Sequence, residues 1–259
     1  TKAKALPCAG DGNLVNPFLH QLDFQLTDAQ RTVQMEIEGD LNGKHPMRRL
    51  LQGDVGSGKT VVAALALLRA LESGYNGLLM APTEILAEQH HRNFTQWLEP
   101  LGIRVRLHTG ARKDAAEPLF ESKTPTIVIG THALFQTGFS LERVGLIVID
   151  EQHKFGVTQR DRLVKKGHYP HLLVMTATPI PRTLGLTLYG DLDSSVIDEM
   201  PAGRGEVRTH IRTPERWPKI LDFLKTELAT GRQAFVIFPR VDNEDTAAGI
   251  KAVNAEAQK

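Results

Sequence analysis

The sequence predicts an α/β fold built around a mostly parallel sheet. Apolar runs at 49–52, 77–81, 105–107, 126–129, 146–149 and 172–175 are short, rich in Val, Ile and Leu, and lack strict polar alternation. Strands buried on both faces of a parallel sheet look like this. Helix-length stretches with their own start and stop residues lie between several of them, and such βαβ units stack into three layers.

The elements follow in order. Residues 1–23 mix Pro, Gly and Asn with one apolar piece at 18–22, which predicts a connecting arm. Thr27 followed three residues later by Gln30 makes a capping box, so a helix is expected to about Gly39. The run 60–73 is apolar almost all round and stops at Gly74, as a helix packed under a sheet does. A second helix at 84–99 is amphipathic and ends at Pro100-Leu101-Gly102. The segment Pro201-Ala202-Gly203-Arg204-Gly205 breaks the pattern and places a boundary, giving a main domain over 24–203 and a second unit over 204–259. In the second unit, strands are expected at 207–211 and 234–238, with a helix at 215–230 between them and a polar, Ala-rich helix at the end.

Composition narrows the classes. With 259 residues, 41% apolar and 24% charged, the chain fits one large α/β domain and part of another. It has no uninterrupted apolar stretch of the roughly 18 residues that a membrane span needs. Cys8 is the only cysteine, which excludes an internal disulfide and a Cys-cluster metal site and leaves a reducing, cytoplasmic setting as the expectation. A net charge of +1 neither argues for nucleic acid nor against it. The absence of a starting Met leads us to expect a piece of a longer protein.

Gly53-Asp54-Val55-Gly56-Ser57-Gly58-Lys59-Thr60 matches the phosphate-loop pattern G-x-x-x-x-G-K-S/T in full. The glycines let backbone N–H groups turn inward to phosphate oxygens, and the following helix adds the positive end of its dipole. Lys59 is expected to reach the β- and γ-phosphates of ATP, and the Thr60 hydroxyl to ligate Mg²⁺. An expected strand before this run and a helix after it supply the context that a plain Gly-rich turn would not need. Leu146-Ile147-Val148-Ile149 then ends on Asp150 and Glu151. Parallel sheets place ligands off the carboxyl ends of their strands. Asp150 is therefore assigned to Mg²⁺ through a water, and Glu151 to orienting the attacking water. A solvated strand end is the plain alternative for two adjacent acids.

A specific resemblance enters on further residues. Asp150-Glu151-Gln152-His153 has the D-E-x-H form of superfamily 2 helicases. Met175-Thr176-Ala177-Thr178-Pro179-Ile180-Pro181-Arg182-Thr183 resembles that superfamily's third motif, in the version of RecG-type helicases and transcription-repair coupling factors. Ala81-Pro82-Thr83-Glu84 and Gly130-Thr131-His132 resemble its strand-holding motifs, and Phe24 to Gln30 the segment that sets a Gln against adenine. All stand in family order. Gln152, the run Gly130 to Gln136 and Leu188-Tyr189-Gly190-Asp191-Leu192-Asp193 favour the RecG type.

The resemblance implies a RecA-like motor domain with the truncated start of a second one, and an ATP-dependent DNA helicase or translocase acting on branched DNA, monomeric and without a membrane. It implies nucleic-acid contacts at Pro82, Thr83, Thr131 and His132, and an adenine contact at Gln30. It also implies a coupling path in which His153 links the γ-phosphate to Thr176, Ala177 and Thr178. Plain readings stand beside these roles: Thr83 as a helix cap, Gln30 as the capping-box partner, His132 as a surface histidine and His153 as an edge cap. The segment Lys154, Phe155, Gly156, Gln159 and Arg160 matches the family and has no defined role. Because the chain stops soon after Asp242-Asn243-Glu244-Asp245, we expect it to bind nucleotide and hydrolyse it poorly. A coupling factor, an RNA helicase, a nucleotide sensor that moves nothing and a small-molecule P-loop kinase remain as alternatives. The kinase leaves Thr176 to Thr178 and Ala81 to Thr83 unexplained.

Overall fold

A computed structural model describes residues 5–110, 124–135, 139, 141–151, 169–178, 192–201 and 208–237. The chain divides into two compact units, Thr1–Arg204 and Gly205–Lys259.

In the first unit, seven strands form one sheet whose pairings are all parallel, in the order β3-β4-β2-β5-β6-β1-β7. These are β1 (Arg48–Gly53), β2 (Asn76–Met80), β3 (Val105–His108), β4 (Ile127–Gly130), β5 (Val144–Asp150), β6 (His171–Thr176) and β7 (Asp193–Ile197). Strands β2, β4, β5 and β6 carry nearly continuous apolar runs because both of their faces are covered. Leu51, Leu79, Ile129, Val148 and Leu173 face a large core shared with the helices. Leu50, Leu78, Val128, Ile147 and Val174 face a smaller cluster that includes Leu134 and Leu192. Among the described residues, the four α-helices of this unit pack as a layer on the first face, and a 3₁₀ turn, His132–Phe135, sets Leu134 on the second.

That layer comprises α1 (Val15–Gln21), α2 (Asp28–Leu41), α3 (Lys59–Glu72) and α4 (Glu84–Leu98). Helix α2 starts on the expected capping box: the Thr27 hydroxyl accepts from Gln30 N, and Gln30 Oε1 accepts from Thr27 N. Helix α3 buries eleven residues, from Lys59 to Leu71, so it is apolar all round because it is enclosed. Helix α4 begins at Thr83, whose hydroxyl accepts from Leu86 N.

Three expectations change. First, residues 8–21, expected as part of a connecting arm, include a helix packed on the domain, with Val15 and Phe18 buried. Phe18 is fully buried, edge-on to Trp97 at 6.0 Å. One carboxylate fixes this segment: Glu72 accepts from Gly12 N at 3.1 Å, Leu14 N at 2.7 Å and Val15 N at 2.9 Å. Second, β7 is a strand the apolar pattern does not reveal, because it is a polar edge. Arg49 donates to Ser195, Glu36 and Asp40, tying β1, β7 and α2 together. Third, the described parts of the two strands expected in the second unit, 208–211 and 234–237, are not strands. A strand exists through its ladder partner, and none pairs with them among the described residues; Ile211 is 92% exposed and Ile237 89%. The helix expected there forms as a 3₁₀ turn, Pro214–Arg216, leading into α5 (Trp217–Ala229).

Among the described residues, no helix is long and apolar enough to cross a membrane.

Candidate nucleotide and strand-binding site

Among the described residues, those singled out in the main domain belong to the carboxyl edge of the sheet or to a helix starting beside it. The strand order fixes their arrangement. Strand β6 lies between β1, which leads into the phosphate loop, and β5, which ends on Asp150. The end of β6, with Thr176, Ala177 and Thr178, is therefore flanked by the loop and the acid pair.

The phosphate loop, 53–58, leaves β1 and enters α3. Gly56 and Gly58 both have φ of 85°, a conformation other residues rarely adopt. A side chain on Gly58 would also lie 2.2 Å from Gln30 Nε2. That amide is buried and donates to Ser57 O at 2.7 Å. Gln30 thus ties the loop to the start of α2; both ends of its carboxamide serve the cap and the loop, and the capping-box reading is the one the geometry displays. Val55 is exposed at the tip of the loop.

Lys59 turns back into the loop. Its Nζ donates to Gly53 O at 2.6 Å and Asp54 O at 3.0 Å. Burial lowers its pKa, and Asp150, Glu151 and Asp54 oppose that shift. The acid pair of β5 is thus electrostatically coupled to the loop's lysine. Thr60 follows in the first turn of α3, half-buried. The Ser57 hydroxyl is buried with no hydrogen-bond partner among the described residues.

These groups fit a phosphate carrying a hard cation. The loop wraps a lysine whose hydrogen bonds, among the described residues, go to two backbone carbonyls. The Thr60 hydroxyl and Asp150 carboxylate are oxygen donors of the kind Mg²⁺ takes when phosphate and water complete its shell.

Glu151 is locked in place. Its φ is 52°, a left-handed conformation that costs a non-glycine residue about 1 kcal/mol or more. Glu151 N donates to Met175 O of β6 at 3.0 Å, and Oε1 accepts from the N of Ala177, just past that strand, at 3.1 Å. Beyond it, the Thr176 and Thr178 hydroxyls pair at 2.9 Å. A connection from the acid pair to β6 therefore exists through Glu151 and a backbone amide. His153, Gln152, the segment 154–160 and Pro179 to Thr183 lie outside the described residues.

The strand-holding candidates also converge. Ala81 N donates to Gly130 O at 2.8 Å, which sets the ends of β2 and β4 side by side. Pro82 and Thr83 follow the first, Thr131 and His132 the second. Thr83 and His132 are exposed. Thr131 is buried, its hydroxyl without a partner among the described residues.

Sequence reasoning missed His90. Its Nε2 lies 2.7 Å from Asp150 Oδ2. The only signal was a polar residue on the buried stripe of α4, Ala87-His90-Phe94-Leu98.

A family model, DEAD/DEAH box helicase, matches residues 27–187. The chain belongs to the DEAD/DEAH box helicase family. This helicase chain is 49% identical over 90% of its length to the ATP-dependent DNA helicase RecG of Synechocystis sp.. It is 50% identical over 92% to that of Acidithiobacillus ferridurans. It covers 29% and 36% of those two relatives, so the chain spans about a third of their length. Among solved structures, RecG bound to a three-way DNA junction matches with a TM-score of 0.79 and 41% identity, over 91% of this chain and 32% of that one. The helicase MrfA bound to DNA shares the fold, with a TM-score of 0.63 at 20% identity, over 90% of this chain and 37% of the other.

Proposed function

We propose that this chain is the ATP-binding part of a RecG-type DNA motor that uses ATP and Mg²⁺ to act on branched DNA. One observation carries the proposal. The phosphate loop, the acid pair, the end of β6 and the two strand-holding turns share one edge of a single parallel sheet. The similarity to helicases named RecG supports the same reading.

The roles follow from the atoms. Lys59 exchanges the Gly53 and Asp54 carbonyls for β- and γ-phosphate oxygens, a stronger, charge-assisted partner. Ser57 and the loop amides hold the remaining oxygens. Thr60 and Asp150 are the residues that would hold Mg²⁺. When bound, the ion neutralises charge that develops on the phosphates. Glu151 orients the attacking water from the position in which Met175 O and Ala177 N fix it. Loss of the γ-phosphate is then felt at Ala177, and through the threonine pair at the end of β6. Thr83 and the first amides of α4, together with Thr131 and His132, hold backbone phosphates of the strand. Gln30 senses an occupied loop through Ser57 and contacts adenine only by releasing it. The protein works in the cytoplasm, where its buried Cys8 stays reduced.

The test is ATP hydrolysis by a protein of RecG length carrying this chain, without nucleic acid and with single-stranded DNA, a model fork and structured RNA. The proposal expects the fork to stimulate most, and Glu151→Gln to remove the stimulated rate. Stimulation by RNA alone, or by no nucleic acid, contradicts it.

A further inference from the structure

His90 is a buried polar residue that neither the phosphate loop nor the strand-holding turns account for. It sits on α4, seven residues beyond Thr83, and therefore about two turns from the helix N-terminus. Its Nε2 lies 2.7 Å from Asp150 Oδ2, and the two side chains are only 10% and 15% exposed. An ionised carboxylate only accepts hydrogen bonds, so Nε2 carries the hydrogen. The other ring nitrogen, Nδ1, is buried without a partner among the described residues. Among the described residues, Asp150 is thus the one polar contact that orients the ring.

We propose that His90 is a positioning residue for Asp150, holding one carboxylate oxygen so that the other is aimed at the Mg²⁺ side of the nucleotide. A metal-side carboxylate restrained by a hydrogen-bond donor keeps its orientation through each binding cycle, and loss of such a restraint weakens metal binding. The same contact joins two functions. Helix α4 begins at Thr83, beside the strand-holding turn, and His90 is its point of attachment to the acid pair. This inference rests on the assignment of Asp150 to the Mg²⁺ side of an ATP site.

The test is binding of a fluorescent ADP analogue to the 259-residue chain, titrated with Mg²⁺ and repeated in EDTA, for wild type, His90→Ala and His90→Gln. His90→Ala should raise the Mg²⁺ concentration at half-saturation about 10-fold. Its metal-free affinity should stay within about twofold of wild type, a difference well under 1 kcal/mol. His90→Gln, which restores a donor near the Nε2 position, should recover most of the Mg²⁺ dependence. Circular dichroism confirms that each variant is folded. An unchanged Mg²⁺ dependence in folded His90→Ala overturns the positioning role. So does an equal loss of binding in EDTA, which marks a structural residue. If wild type itself shows nucleotide binding that ignores Mg²⁺, the assignment of Asp150 fails and the inference falls with it.

Discussion

Glu151 holds a backbone conformation that a glycine would adopt without strain, and it does so with its carboxylate pinned to Ala177 N. Strain kept at one acid of a pair, beside a phosphate loop, is a feature that clusters at functional sites and agrees with the proposed water-orienting role. Glu151→Gln keeps the shape and the contact to Ala177 but removes the base. It should leave nucleotide affinity near wild type and slow the stimulated hydrolysis by about 10²-fold or more, which stopped-flow phosphate release would measure. Gly58→Ala should act differently, because the new methyl meets both a left-handed φ and the Gln30 amide. It should lower stability by about 1–3 kcal/mol and weaken nucleotide binding, readable as a fall in Tm with a rise in Kd. The loop's place between a strand and a helix was legible from residue type and spacing alone, because backbone geometry over eight consecutive residues is a local matter. His90 on Asp150 and Gln30 on Ser57 were not. Both are contacts between distant segments, and no spacing along the chain encodes them.

Among the elements, strands β2, β4, β5 and β6 were legible because the sheet encloses them and their apolar runs are nearly unbroken, and β1 and β3 through the shorter apolar cores they carry. Strand β7 was not. It lies at an edge and relies on Ser195 meeting Arg49, so its sequence reads as polar. The segment before α2 failed for the opposite reason: its Pro, Gly and Asn suggest a loop, while its docking depends on Glu72, some 60 residues away. Glu72→Ala leaves three backbone N–H groups without their carboxylate. Hydrogen bonds to a charged group contribute about 1.5–3 kcal/mol each when formed, although water will recover part of this. The substitution should destabilise the domain by about 2–4 kcal/mol. It should also release the amides of Gly12, Leu14 and Val15 to fast hydrogen exchange while the β1 and β6 amides stay protected. Protection lost evenly across the sheet would show that this segment is integral to the core.

Across the whole molecule, acid sensitivity should centre on His171. Its Nδ1 accepts from Met47 N at 2.9 Å and its Nε2 donates to Leu6 O at 2.6 Å, so the folded state holds a neutral ring. Burial lowers its pKa below 6.5, with the Leu6 carbonyl and Asp40 opposing. The unfolded chain therefore binds the proton more readily. Stability from this group is full above pH 6.5 and is lost as pH falls below it. His171→Gln should flatten that part of the stability profile in chemical denaturation. The buried Cys8 thiol, pushed up to about 12 by burial, should react with a thiol reagent only as the domain opens.

The central claim is that the glycine loop is an ATP phosphate site whose charge is supplied by Lys59. Calorimetric titration of the 259-residue chain with a non-hydrolysable ATP analogue and Mg²⁺ tests it most directly, comparing wild type with Lys59→Ala. Wild type should bind saturably. The variant should bind at least about tenfold more weakly, the loss of one charge-assisted contact, with thermal unfolding little changed. Equal affinity in the two proteins, or a folded wild type that does not bind the analogue, would contradict it.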